Sequence, residues 1–324
     1  MYKVSIVIPT YNRLDRLRYV LQALEQQTIS LDQFEVVVIS DGATDGTQSY
    51  LETLQTPLNL TVVTQPNGGP ASARNNGVAH ASGEVVLFVD DDVVATPQLV
   101  AEHLSCHDES AEDLVVIGPM LTPDDFQMLP WVRWEQDRLL DQYNAMQNGN
   151  WSPTARQFYT GNSSLSRAQI IAAGGFEERF RRAEDVELAY RLAERGLKFV
   201  FNPKAIGYHY AERSFRSWLA IPYDYGRNDM VFAYERGQRW LAEVTAREFK
   251  ERHVLIRSLV QLCVGRELPS RIAVGALRLA AQSSGALGLE RVSQRAYSGL
   301  FNLRYYQGIA DELGGRNNFL AHFF

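Results

Sequence analysis

The chain has 324 residues, of which 45% are hydrophobic and 22% charged, and its net charge is −6. This length and composition are typical of a folded protein with one large domain or two smaller ones. The negative charge disfavours a general nucleic-acid-binding protein, which needs a basic surface. The charge is uneven, however, because residues 226–324 hold 14 basic and 9 acidic side chains. This basic region could face a phosphate-bearing partner or a membrane surface, or form a solvated helix face.

The two cysteines, Cys106 and Cys263, lie far apart in the sequence and outside any metal-binding spacing. We expect both to be reduced, which indicates a cytoplasmic protein. The first apolar run begins at Val4, which leaves no room for a signal peptide. No apolar run approaches the roughly 18 residues that a membrane-spanning helix needs. We therefore expect a cytoplasmic protein, either free or bound peripherally at the inner face of the membrane.

Short apolar runs alternate with segments of helical period in the first hundred residues. Strands are predicted at 4–9, 34–40, 58–64 and 85–89, and helices at 14–27, at 48–54 and from about residue 71. This alternation predicts βαβ units and a mostly parallel sheet flanked by helices. Ligands of such sheets bind beyond the carboxyl ends of the strands. Tyr11, Asp41, Gly68 and Asp90 follow those ends and are expected to converge on one cleft.

Three adjacent carboxylates, Asp90, Asp91 and Asp92, follow the strand at 85–89. Their mutual repulsion next to an apolar strand favours a bound cation. Mg²⁺ or Mn²⁺ would suit oxygen ligands of this kind, with phosphate oxygens completing the coordination shell. Strand alternation would point Asp90 and Asp92 to the same side. The alternative is a solvated acidic turn at the end of a strand.

Four motifs occur in a fixed order at the ends of the predicted strands: VSIVIPTYNR at 4–13, SDGATDGT at 40–47, NGGPASARN at 67–75 and FVDDD at 88–92. In this order and spacing they resemble the family 2 glycosyltransferases, which have the GT-A fold. The resemblance continues through TGNSS at 160–164, GGF at 174–176 and AEDVEL at 183–188. It covers the chain as far as about His209.

This resemblance implies an inverting transferase that moves a sugar from a nucleoside-diphosphate sugar, with a UDP-sugar favoured, to an acceptor hydroxyl. The implied acceptor is a saccharide or a lipid-linked saccharide, in polysaccharide or glycoconjugate synthesis. The implied cofactor is Mn²⁺ or Mg²⁺. The residues of this chain that match the nucleotide-binding positions are Pro9, Thr10, Tyr11, Arg13, Asp41, Asn67, Gly68, Arg74, Asp90 and Asp91.

Several of these nucleotide-binding residues also have an ordinary structural interpretation. Tyr11 would stack on the base, but it could equally be a half-buried turn tyrosine. Asp41 would accept hydrogen bonds from a uracil or guanine edge, whereas Asp45, in a second Asp-Gly pair, is interpreted as a turn residue. Arg74 would reach the diphosphate or the base, although an arginine on the first turn of a helix is usually a surface charge.

The same resemblance implies roles in catalysis and metal binding. Asp90 would contact the ribose, and Asp92 would hold the metal together with His209. The alternatives for His209 are a contact with the diphosphate or a structural role. Asp185, next to Glu184, would be the base that deprotonates the acceptor. Acidic residues also favour the first turn of a helix for electrostatic reasons alone. The helix dipole is expected to lower the pKa of Asp185 and to keep it ionised.

The donor and acceptor pocket is expected to include Gly161, Asn162 and Trp151, although tryptophans are more often core residues. We place the catalytic domain at 1–222 and a helical region at 223–324, which could contact the acceptor, a membrane surface or a second copy in a homo-oligomer. A sugar nucleotidyltransferase is disfavoured because the loop at 9–13 lacks glycine. A non-catalytic sugar-nucleotide-binding module is disfavoured because every acidic position that catalysis requires is present.

Overall fold

The computed structural model describes residues 2–110 and 113–324. Contacts divide the chain into two compact units, the first formed by Met1–Gln127 with Gln136–Ala211 and the second by Met128–Glu135 with Glu212–Phe324. The division falls between residues 211 and 212 rather than at the predicted 222/223. A long helix, Phe215–Glu235, runs through the predicted boundary and contains Pro222 in its interior.

The described strands of the first unit form a seven-stranded sheet and a three-stranded sheet. The large sheet has the order β3-β2-β1-β4-β8-β6-β9, and only β8 runs antiparallel to its neighbours. The small sheet has the order β5-β10-β7. The strands are β1 Val4–Thr10, β2 Phe34–Asp41, β3 Leu60–Gln65, β4 Val85–Val89, β5 Val93–Ala95, β6 Leu114–Ile117, β7 Met120–Leu121, β8 Asn162–Ser166, β9 Lys198–Phe201 and β10 Gly207–His209.

Helices of the first unit flank the sheet, which confirms the predicted α/β class. β2 is buried at every position, as the run of β-branched residues predicts. The first helix buries Leu17, Val20, Leu21 and Leu24 but ends at Leu24, three residues before the predicted end. The helices are α1 Leu14–Leu24, α2 Thr47–Thr53, α3 Pro70–His80, α4 Leu99–Asp108, α5 Pro130–Gln147, α6 Arg167–Ala172 and α7 Glu184–Glu194. The first turns of α5 belong to the second unit.

The second unit is helical, which confirms the predicted C-terminal helices. Its core contains Trp134 and Trp218, whose rings meet edge to face at 5.8 Å. Trp134 is therefore a core residue of this unit. Among the residues that the structure describes, no helix has the length and hydropathy needed to span a bilayer. The helices are α8 Phe215–Glu235, α9 Trp240–Glu251, α10 Val254–Cys263, α11 Glu267–Ala286, α12 Glu290–Glu312 and α13 Arg316–Phe323.

Candidate active site

The three consecutive carboxylates lie in a turn and not in a strand. β4 ends at Val89, and the Val93 N–H donates to the Asp90 carbonyl at 3.0 Å. The prediction from strand alternation, that Asp90 and Asp92 share one side, is therefore wrong, because alternation requires extended backbone. The turn instead directs Asp90 toward Arg74, whereas Asp91 and Asp92 both lie near Arg13.

Asp92 lies between a guanidinium and an imidazole. Arg13, at the start of α1, donates to one oxygen of Asp92, and His209 Nε2 lies 3.5 Å from the other. β10 pairs with β5, so that His209 is opposite Val93 and thus next to Asp92. The small sheet therefore brings together two predicted metal ligands that are more than a hundred residues apart.

This donor set fits a divalent cation. Two cis ligands of an octahedral Mg²⁺ or Mn²⁺ ion lie about 3 Å apart, close to the Asp92–His209 separation, and Mn²⁺ accepts an imidazole ligand. The Arg13 guanidinium already supplies positive charge at Asp92. Across residues 2–110 and 113–324, no group of three or more His, Cys, Asp or Glu side chains is arranged to hold a metal. A cation here would need phosphate or water oxygens as further ligands.

Asp91 points into the protein. It is 8% exposed and accepts a hydrogen bond from Thr10 Oγ1 at 2.8 Å, while Arg13 Nε lies 3.8 Å away. Burial raises the pKa of Asp91 to about 7, and the Arg13 charge offsets only part of this effect. Asp91 and Thr10 are thus buried and bonded to each other, which indicates a structural role. Their predicted contact with a nucleotide stays a prediction.

Arg74 links two carboxylates in the interior of the cluster. Its Nη2 donates to Asp90 at 2.8 Å and its Nη1 to Glu184 at 2.7 Å, and the residue is only 5% exposed. The surface-charge interpretation of Arg74 is therefore wrong. Both terminal nitrogens of Arg74 already donate to carboxylates, so Arg74 positions Asp90 and Glu184. It has little remaining capacity to donate hydrogen bonds to a diphosphate.

Asp185 follows Glu184 on the first turn of α7 and is partly exposed. Removal of the carboxyl from water, together with the negative charge of Glu184, raises the pKa of Asp185 to about 7. The Arg74 charge and the Val186 N–H lower the pKa but do not reverse this effect. The predicted lowering by the helix dipole is wrong in sign, because that dipole is weaker than desolvation and a neighbouring anion together.

Asp41 organises the turn that precedes α3. Its carboxylate accepts hydrogen bonds from the Gly68 N–H at 2.8 Å, the Gly69 N–H at 2.9 Å and Gln65 Nε2 at 2.8 Å. Asn67 Nδ2 donates to the Asp41 carbonyl at 3.0 Å. Asp41 therefore shapes the loop wall, and recognition of a base by its remaining lone pairs stays a prediction. The Asp45 carboxylate accepts hydrogen bonds from the Leu14 N–H and from Thr47 Oγ1, which confirms its structural role.

Sequence reasoning missed Arg181, which lies against this same turn. A Cβ placed on Gly69 would be 2.6 Å from Arg181 Nη1, so that the exposed guanidinium touches the loop backbone. The available signal was the run Arg179-Phe180-Arg181-Arg182 just before Glu184.

Tyr11 lies on the loop after β1, two residues beyond Pro9, and is 51% exposed. Its stacking on a base stays a prediction.

Gly161 and Asn162 have different surroundings. A Cβ on Gly161 would lie 3.0 Å from Asp90 Oδ2 and 2.6 Å from Met120 Sδ, so a larger residue here would displace the Met120 and Asp90 side chains. Asn162 is fully buried, and its amide donates to the Pro119 and Ala205 carbonyls at 3.0 and 2.7 Å. Its prediction as a pocket residue is therefore corrected to a structural role behind the cleft. Trp151 is 45% exposed beyond the end of α5.

The environment of Asn162 also explains a buried histidine. Asn162 Oδ1 can only accept, so His103 Nε2, 2.9 Å away, carries the ring proton. His103 Nδ1 lies 2.9 Å from Ser164 Oγ. Burial lowers the pKa of His103 to about 4, which keeps the ring neutral. This network ties α4 to β8 and stabilises the sheet beneath Gly161.

The model of the family "Glycosyl transferase family 2" matches residues 5–171. This segment includes the turn of three carboxylates, Arg74 and Gly161. The chain belongs to glycosyl transferase family 2. The resemblance inferred from the motifs is thereby confirmed.

Curated relatives and solved structures agree with this assignment. Validoxylamine A glucosyltransferase of Streptomyces hygroscopicus subsp. jinggangensis is 34% identical in an alignment of 229 positions that covers 63% of this chain and 54% of that protein. This chain thus spans about half the length of the curated relative.

Two solved structures show the same fold at 19% identity and a TM-score of 0.60. TarS of S. aureus, in complex with UDP-GlcNAc, matches 97% of this chain and 92% of its own. The mannosyltransferase PcManGT of Pyrobaculum calidifontis, in complex with GDP-Man and Mn²⁺, matches 94% and 86%. These likenesses confirm the GT-A architecture.

Proposed function

We propose that the chain transfers a sugar, with inversion, from a nucleoside-diphosphate sugar to the hydroxyl of a saccharide or lipid-linked saccharide. The observation that carries this proposal is the chain of contacts Asp90–Arg74–Glu184, which connects the turn after β4 with the helix that bears Asp185. Donor-side and acceptor-side carboxylates are thus held in one rigid group. Such preorganisation is what a displacement at a sugar carbon requires.

Asp185 is the proposed general base. Its pKa of about 7 is well matched to accepting a proton near neutral pH. Asp185 would take the proton from the acceptor hydroxyl as that oxygen bonds to the anomeric carbon. The bond between that carbon and the diphosphate oxygen breaks at the same time on the opposite face. Glu184, held by Arg74, would fix the first turn of α7, which also carries Asp185.

Asp92 and His209 are the proposed ligands of Mn²⁺ or Mg²⁺, whose positive charge would stabilise the departing diphosphate. Arg13 and Arg181 would be donors for phosphate oxygens or the base. A UDP-sugar is the favoured donor, which the UDP-GlcNAc complex of TarS supports, and GDP, as in the PcManGT complex, is the second candidate. Tyr11, Asp41, Asn67 and Gly68 would surround the base.

We expect UDP with Mn²⁺ to stabilise the protein against heat more than GDP or dTDP does, because a ligand of the native state raises its stability by mass action. If UDP is the preferred nucleotide, we expect the protein to hydrolyse a UDP-sugar slowly in the absence of acceptor. EDTA should stop that hydrolysis. Thermal shift followed by assay of released UDP measures both. Nucleotide binding without turnover of any donor would indicate the non-catalytic module instead.

The rate of transfer should depend on pH through the base. Because Asp185 must be deprotonated and its pKa is raised to about 7 in the protein without acceptor, we expect kcat/KM for the acceptor to rise with pH, to reach half its maximum near pH 7 and then to level off. Measurement at saturating donor and Mn²⁺, with UDP affinity followed at each pH, separates chemistry from donor binding. A kcat/KM that stays constant between about pH 5 and 8 would contradict the assignment of the base.

A further inference from the structure

Helix α11, Glu267–Ala286, is apolar on two opposite faces. Its inner face packs Val274, Leu277 and Ala281 into the core of the second unit. Its outer face presents Leu268, Ile272 and Leu279, which are 68%, 63% and 68% exposed. The spacing of four and seven residues places these three side chains on one side of the helix. A helix that is apolar on both sides is ordinarily covered on both sides, so the outer face calls for a partner.

Neighbouring segments also expose apolar side chains. At Gly299 of α12, a Cβ would contact Leu277 of α11 at 3.3 Å and Leu259 of α10 at 3.7 Å, so both helices lie against α12. α10 exposes Leu255 and Leu262, and the turn after α11 exposes Leu287. We call the resulting set the outer leucine surface: Leu255, Leu262, Leu268, Ile272, Leu279 and Leu287. Exposed apolar patches of this kind mark contacts with a protein or a membrane.

Charge decides between these partners. Residues 254–295, which include the outer leucine surface, contain six arginines and only two glutamates. Arg271 and Arg278 are seven residues apart and immediately precede Ile272 and Leu279, so an arginine stripe runs beside the apolar one. A second copy carries the same surplus, so pairing two such surfaces would bring like charges together. A layer of anionic headgroups above an apolar interior complements both stripes.

We propose that the outer leucine surface docks on an anionic lipid bilayer, with α11 lying in the plane of the interface. Leu268, Ile272 and Leu279 enter the boundary of the acyl chains, and Arg271 and Arg278 contact phosphate groups. The long arginine side chains can reach the headgroups while their methylene groups stay near the apolar stripe. This attachment is independent of the chemistry at Asp185 and Asp92.

The test is co-sedimentation of the full chain with phosphatidylcholine vesicles that contain or lack phosphatidylglycerol. We expect binding to the anionic vesicles that weakens as salt is added, since salt screens the arginines. The variant I272E/L279E should lower the partition coefficient at least about tenfold, because two carboxylates replace the central apolar contacts. R271Q/R278Q should lower binding selectively on anionic vesicles. Ile272 and Leu279 are exposed, so I272E/L279E should keep the wild-type circular dichroism and melting temperature. Arg271 pairs with Glu267 and Arg278 lies 4.4 Å from the centre of the Phe215 ring, so the melting temperature of R271Q/R278Q is measured alongside its binding.

The control is Ile171→Glu, which makes one of the same two substitutions, isoleucine to glutamate, at a position that is 53% exposed on α6 of the first unit. It should bind vesicles like the wild type, and all variants should hydrolyse soluble donor like the wild type. Equal binding to both vesicle types, or unchanged binding of I272E/L279E, would overturn the proposal. So would a lipid-free dimer in sedimentation equilibrium that I272E/L279E dissociates, because the surface would then join two copies.

Discussion

Asp185→Asn should lower kcat at least about 100-fold, because the amide cannot accept the proton of the acceptor hydroxyl. The dissociation constants of UDP and Mn²⁺ should stay near the wild-type values, since Asp185 contacts neither in the proposed arrangement. Initial rates with saturating donor, together with calorimetric titration of UDP, measure the two effects separately. Turnover close to the wild-type rate would remove Asp185 as the base.

The free energy of unfolding shows whether the Asp185→Asn variant is folded and whether the ionised Asp185 carboxylate destabilises the native state. The pKa of Asp185 is raised in the folded protein, so the native state binds this proton more tightly than the unfolded chain does. The carboxyl therefore favours folding most below about pH 4, and that contribution is lost as the pH rises to about 7.

Asp185→Asn should accordingly be more stable than the wild type at pH 8, by about 1–2 kcal/mol after allowance for partial exposure, and nearly equal to it at pH 4. Urea unfolding at the two pH values tests this. If the variant is less stable than the wild type at pH 8, the ionised Asp185 carboxylate does not destabilise the native state.

Asp92→Asn should weaken binding of Mn²⁺ to the UDP complex at least about tenfold, because it removes the anionic member of the Asp92–His209 pair. The loss should also appear in kcat, since the diphosphate would leave without its counter-charge. Titration of free Mn²⁺ by electron paramagnetic resonance, with and without UDP, measures the affinity directly.

Asp108→Asn is the matched control for this experiment, because Asp108 is an exposed carboxylate paired only at the surface with Lys3, 3.4 Å away. It should bind Mn²⁺ like the wild type. If Asp92→Asn retains wild-type affinity for Mn²⁺ in the presence of UDP, the metal is held elsewhere and the pairing of Asp92 with His209 has a structural purpose.

The local pattern of the sequence was sufficient for the strands and helices around the cleft. The apolar run of β2 matches its complete burial, and the helical period of residues 14–24 matches the buried face of α1. Asp45 could be assigned a turn role because Asp-Gly pairs are common in turns. Motif order was sufficient for the family, which the match over residues 5–171 confirms.

Asp90, Asp91 and Asp92 show the limit of local reasoning. They are identical in type and adjacent, so nothing in their spacing distinguishes them. The structure pairs Asp90 with Arg74, Asp91 with Thr10 and Asp92 with Arg13. Those partners come from other strands and helices, so their selection depends on how the chain crosses the sheet.

Asn162 and Asp185 show the same limit for burial and charge. From the motif alone Asn162 resembles a pocket residue, but the approach of His103, Pro119 and Ala205 encloses it completely. Asp185 resembles an ordinary acid at a helix N-terminus until Glu184 and the surrounding protein raise its pKa. Desolvation depends on every neighbouring atom, and most of those atoms are distant in sequence.

By itself, then, the sequence determined the alternation of strands and helices, the family and the set of acidic residues around the cleft. These depend on periodicity and on short motifs, which neighbouring residues encode. Only the tertiary structure decided which carboxylate has which partner, that Arg74 is buried between two acids, that His209 lies beside Asp92, and that α11 is left apolar on its outer face. Each of these depends on contacts between distant segments, because burial and electrostatic pairing are properties of the packed chain.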